Sequence, residues 1–121
     1  MTNNWKELYA RKNEHFTFVE EEVKEKLRKV VNELNNNLRK VHVRDAEVKD
    51  SYVDFPDCTI MFEVDKKEIV FKKEPRGQHS VIQATLTIGS GNEIIFGQIN
   101  KAYFSFDSEV IDDVLKFLLM Q

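Results

Sequence analysis

The sequence predicts an α+β fold, with two N-terminal helices and a C-terminal helix packed on a five- or six-stranded antiparallel meander. Three observations lead there. Apolar residues recur at steps of three and four between residues 19 and 41. The period then drops to two, with breaks between runs too short for anything but antiparallel neighbours. A helical period returns after residue 107.

A short first helix is expected over "NWKELYARKN", with Asn3 or Asn4 as its cap and Trp5, Leu8 and Tyr9 as an apolar patch. In the longer helix that follows, Thr17 and Glu20 spell a capping box. The acids Glu20, Glu21 and Glu22 suit the positive end of the helix dipole. Val19, Val23, Leu27, Val30, Val31, Leu34, Leu38 and Val41 form one apolar stripe. Asn37 interrupts it after barely two heptads, so packing on a sheet is expected rather than a coiled coil.

The strands come next. "VHVRDAEVKD" and "SYVDF" are weak, whereas "CTIMFEV" is strong, with Cys58, Ile60, Phe62 and Val64 on one face. "EIVFKKE" puts Ile69 and Phe71 opposite Val70 and Lys72. "SVIQATLTI" alternates cleanly, and "EIIFGQI" and "AYFSF" complete the run. The links "DKK", "PRGQH", "GSGN" and "NK" are turns. A last helix is capped by Asp107 or Ser108 and carries a wide apolar face from Val110 to Leu118. No repeat, low-complexity tract or linker divides the chain, so residues 1–121 read as a single domain.

Composition narrows the function classes. At 41% hydrophobic and 32% charged residues the chain is a normal globular sequence, and its net charge of −3 opposes a whole-molecule grip on nucleic acid or anionic membrane. No apolar run reaches the roughly 20 residues of a membrane span, and the N-terminus lacks the apolar core of a secretory signal. One cysteine, Cys58, fits a reducing compartment. A cytoplasmic protein is therefore expected, and the Lys/Asn/Glu-rich composition is compatible with an A+T-rich bacterial or phage genome.

Catalytic signals are thin. "FPDCTIMFEVDKK" contains the letters of a metal-dependent nuclease, PD followed by D-x-K, but Asp57 and Asp65 would stand at opposite ends of one strand, about 26 Å apart. Carboxylates sharing a metal must both reach it at about 2.1 Å. His15, His42 and His79 lie in separate elements without ligand-type neighbours. "GSGN" precedes a strand, not the helix a phosphate cradle needs. The acids Asp45, Glu47, Asp50, Asp54 and Asp57 do not follow a calcium-loop pattern and read as a solvated rim. Cys58 shares strand parity with core residues and reads as one of them. No catalytic residue, metal ligand or cofactor is expected.

Two surfaces could bind. The hairpin spanning residues 66–79 carries Lys66, Lys67, Lys72, Lys73 and Arg76 and could meet phosphates or an acidic protein, or serve as edge protection. The second face of the sheet would present Met61, Val70 and Val81, joined by Ile95, Ile99 and Tyr103, and is more apolar than a solvated face needs to be. The reading that follows is a non-enzymatic binding module of the inhibitor, immunity or adaptor type, meeting a protein partner or a second copy through that face. Nucleic-acid binding through the hairpin is the alternative, as is a small enzyme or ligand carrier with a pocket between helix and sheet. A helix followed by a meander is similar in architecture to cystatin-like and immunity proteins, a likeness that carries no function.

Overall fold

A computed structural model describes residues 5–13, 16–76 and 81–121. The element order is α1 (Trp5–Lys12), α2 (Glu20–Lys40), β1 (Glu47–Val48), β2 (Tyr52–Asp54), β3 (Cys58–Val64), β4 (Glu68–Pro75), β5 (Ile82–Ile88), β6 (Ile94–Phe96), a 3-10 turn (Gly97–Ile99), β7 (Lys101–Tyr103) and α3 (Ser108–Leu119). The strands form one antiparallel sheet in sequence order, β1 to β7. The α+β class and the meander are as expected, with seven strands instead of five or six.

Strict alternation makes β3, β4 and β5 the centre of the sheet. Phe62 stands opposite Phe71 and Phe71 opposite Ala84, while Ile69 opposes Leu86 and Leu86 opposes Phe96. All of these point to one side, where they are buried with Val53, Cys58 and Ile60. Both long helices cover that side. Val23, Leu27, Val30 and Val31 of α2 and Val110, Ile111, Val114, Leu115 and Leu118 of α3 are buried in the same core. α3 lies over β5 to β7, where Phe117 packs edge-on to Phe96 and the Tyr103 hydroxyl donates to Asp113 (2.7 Å). The sequence alone left open which side α3 takes. It joins α2, and among the described residues neither long helix covers the other side of the sheet.

The ends of α2 depart from expectation. The capping box does not form: Val19 is the N-cap, without a side-chain bond, and is half exposed. The reason is tertiary. The Phe18 N–H donates to the Lys66 carbonyl (2.8 Å) and the Lys67 ammonium to the Phe16 carbonyl (2.7 Å), so residues 16–18 are drawn along the β3–β4 turn and the helix starts beyond them. At the other end the Val43 N–H reaches the Leu38 carbonyl (2.9 Å) and the His42 N–H the Arg39 carbonyl (3.1 Å), a Schellman ending with His42 left-handed at φ 61°. Residues 41–43 thus finish the helix instead of opening a strand, and only Glu47 and Val48 remain as β1. Glycine takes a left-handed backbone without the Cβ clash that other residues bear. His42→Gly is expected to raise stability by about 0.5–1 kcal/mol, measured as a higher urea midpoint at constant m.

α3 begins as predicted, with the Asp107 carboxylate accepting from the Glu109 N–H (3.1 Å). The expected caps Asn3 and Asn4 of α1 lie outside the described residues. No helix among the described residues is long and apolar enough to cross a membrane.

Candidate functional site

The side of the sheet away from α2 and α3, its bare side, is not covered by either helix. Side chains alternate along each strand, so the residues between the core positions all emerge there. Tyr52, Met61, Lys72 and Gln83 stand in register across β2 to β5, beside a second row of Glu63, Val70 and Thr85. Glu68, Thr87, Ile95 and Ala102 make a third row across β4 to β7. Tyr52 and Met61 remain 38% and 36% exposed. Between them and Val70 lies an open cleft of about 350 Å³, rimmed by Ser51, Glu63 and Lys72.

Five acidic side chains share this face, Glu47, Asp54, Glu63, Glu68 and Glu74, against one base, Lys72. Two of the acids are neutralised at the β1–β2 rim. Asp54 accepts from Arg76 (2.8 Å) and Arg44 (3.3 Å), and Glu47 pairs with Lys49 (2.7 Å). Glu63, Glu68 and Glu74 form no ion pair among the described residues. The face is therefore a largely apolar cleft, rimmed by Glu63 and Lys72, on a surface with an excess of negative charge.

Of the expected second-face residues, Met61 and Val70 line the cleft, Ile95 stands in the third row, and Val81 is exposed just before β5. Tyr103 does not join them. It is buried on the helix side, because the 3-10 turn and a left-handed Asn100 (φ 52°) reset the alternation between β6 and β7. Ile99 falls within that turn.

The five cations of the basic hairpin are not brought together. Lys67 is bonded to the Phe16 carbonyl, and Arg76 is held by Asp54 and the Phe55 carbonyl (3.1 Å). Lys73 turns to the helix side and is buried, opposite Ile60 and Ile82, while Lys72 faces the bare side. Lys66 stays exposed on the turn. Residues 77–80, with His79, lie outside the described residues, as does His15.

The nuclease letters also separate. Asp57 precedes the seven-residue β3 and Asp65 follows it. No cluster of three metal-ligating side chains occurs among the described residues. Cys58 is fully buried, and burial, with Asp57 adding to it, pushes its thiol up to about 11, the reverse of an activated nucleophile. "GSGN" closes the β5–β6 hairpin, with the Asn92 N–H on the Gly89 carbonyl (3.0 Å). The acidic stretch is consumed by structure, since Asp45 is clamped by Arg39 (2.6 Å) and Asp50 lies near Lys24 (3.9 Å). The space between helices and sheet is filled by Phe55, Phe71, Phe96, Leu27 and Ile111, all but fully buried.

A second polar group, which sequence reading overlooked, ties β7 to α3. The Lys101 ammonium reaches Asp113 (2.8 Å) and Glu109 (3.4 Å), and Asp113 also accepts the Tyr103 hydroxyl. Partial burial works against the Asp113 carboxylate, but the bonds from Lys101 and Tyr103 outweigh it and hold its pKa below the usual value of 3.8. A carboxylate with a depressed folded pKa stabilises the fold above its unfolded pKa and loses that contribution as pH falls through the folded one. Stability should therefore drop more steeply below about pH 4 in the parent than in Asp113→Asn, as read from thermal midpoints between pH 6 and 3.

Compared with family models, curated proteins and solved structures, the chain finds no match.

Proposed function

We propose that this protein is a non-catalytic binding module that engages another polypeptide through the bare face of its sheet. One observation carries the reading: a cleft around Met61 and Val70, rimmed by Ser51, Glu63 and Lys72, on a sheet face whose Glu63, Glu68 and Glu74 form no ion pair among the described residues. An antiparallel sheet can leave one face to water, but its outward residues are then polar throughout. Apolar anchors in a charged surround match the anatomy of a protein interface, with a desolvated centre and a polar rim. The negative sign opposes nucleic acid, and so does the dispersal of the hairpin's cations over both faces.

The test is capture with purified protein as bait, comparing the parent, the double variant Met61→Lys with Val70→Lys, and a control Lys29→Glu on the exposed side of α2. A partner that the parent and the control retain, that the double variant loses, and that binds again from purified components supports the reading. A partner held equally by all three sinks it. So does sub-micromolar, salt-labile binding of DNA or RNA in an anisotropy titration, since non-specific binding lies at about 10⁻⁴ to 10⁻⁶ M.

A further inference from the structure

We infer that the occupant of the bare face is a second copy of this chain, contributing its helix α1. The inference rests on the reading of that face as a binding surface, and names what fills it. Two surfaces of the molecule are unsatisfied, and they are complementary.

The first is the face itself, with its cleft and unneutralised glutamates. The second is α1. Trp5 and Tyr9, four residues apart and hence on one side of the helix, are 63% and 65% exposed. The helix carries Lys6, Arg11 and Lys12 against Glu7, so it is basic where the sheet is acidic. Trp and Tyr are the residues most often found as interface anchors, and a helix with two of them in one row is built to lay that row into a groove.

The segment after α1 is anchored at one end of the sheet. Residues 16–18, which follow α1 in the chain, are fastened to the β3–β4 turn by the Phe18–Lys66 and Lys67–Phe16 bonds, at the end of the sheet where Glu63 and Glu68 stand. Within one chain the contact is not made, because Trp5 and Tyr9 stand exposed while Tyr52 and Met61 do too. A two-fold pair satisfies both surfaces of both copies at once, each α1 lying on the other's sheet, which is the isologous arrangement of most homodimers.

The area sets the expected strength. Four aromatic side chains of 150–250 Å² each, about two-thirds exposed, with an equal area of sheet beneath them, bury roughly 800–1,300 Å² in all. That range straddles the lower edge of stable interfaces, about 1,200 Å², so the dimer should be a dissociating one with micromolar affinity.

Sedimentation of the full chain from about 1 to 500 μM tests this, a range that brackets a micromolar dissociation constant. The weight-average mass should climb from 14.3 kDa towards twice that value. Trp5→Ala with Tyr9→Ala should weaken association more than tenfold without risk to the fold, since both side chains are exposed. Glu63→Lys with Glu68→Lys should weaken it similarly, and adding Lys6→Glu and Lys12→Glu to that variant should restore it. A mass of one chain throughout the range overturns the inference, as does a dimer that the Trp5/Tyr9 variant leaves intact. A blue-shifted Trp5 emission that does not change with concentration would place α1 on its own sheet and also overturn it. Failure here does not touch the binding-module reading, which is sunk only by a partner held regardless of the face or by tight, salt-labile binding of nucleic acid.

Discussion

Replacing Leu27 by Ala should lower the free energy of unfolding by about 2–5 kcal/mol, the range for emptying a core leucine site. Leu27 has no exposed surface and sits among the largest fully buried side chains, at the middle of the α2 stripe. It belongs to one core cluster built from the sheet, α2 and α3, a close-packed interior that relaxes only in part around a deleted side chain. For a domain of this size the loss is a large part of a total of about 5–15 kcal/mol. Val19→Ala is the control. Val19 belongs to the same periodic series, yet it is the half-exposed N-cap and should cost little. A urea titration in which Leu27→Ala shifts the midpoint no more than Val19→Ala would mean that the stripe does not face the sheet.

That contrast shows where the sequence is readable and where it is not. The apolar periods of α2, β3, β4 and β5 are local statements, and the structure repeats them almost residue for residue. Thr17 and Glu20 make an equally local statement, a capping box, and it fails because Phe18 is taken by the β3–β4 turn some fifty residues later in the chain. Nothing near Thr17 announces that competition. The end of α2 was hidden for another reason, since His42 occupies a position where glycine would have marked the stop. The candidate site was half legible. Parity put Met61 and Val70 on the bare face, and the same parity applied to Glu63, Glu68 and Glu74 gives its charge, a signal that the interleaved lysines of the same segment obscure. Those lysines looked like one patch because they are contiguous in sequence, yet in a strand contiguous residues point to opposite sides. Tyr103 was misplaced because parity carries across a hairpin only when no irregular residue intervenes, and Gly97 to Asn100 intervene.

Asn35→Ala is the second large effect expected, about 2–4 kcal/mol of lost stability from one exchange in the polar interior. Asn35 lies on the buried side of α2, one turn beyond Val31, where the stripe calls for an apolar residue. Its amide works in both directions on one residue of the loop before β1. Asn35 Nδ2 donates to the Ala46 carbonyl (3.0 Å), and the Ala46 N–H donates to Asn35 Oδ1 (2.8 Å). The side chain thus substitutes for a neighbouring strand, satisfying a backbone donor and acceptor that are cut off from water. Truncation leaves both Ala46 groups buried and unpaired, at about 1–3 kcal/mol for each, less whatever water recovers. Asn35→Asp should be no better, since a carboxylate cannot donate to the carbonyl and brings a charge into the core. Asn36→Ala, one residue on and exposed, should be nearly silent. Hydrogen exchange gives the sharpest measurement: the Ala46 amide should lose its protection in Asn35→Ala while amides in β3 and β4 exchange only as fast as the global loss of stability requires. An Ala46 amide that stays as protected as those of β3 and β4 would show that the loop is held by its own packing, and that Asn35 is not what fastens the edge of the sheet to α2.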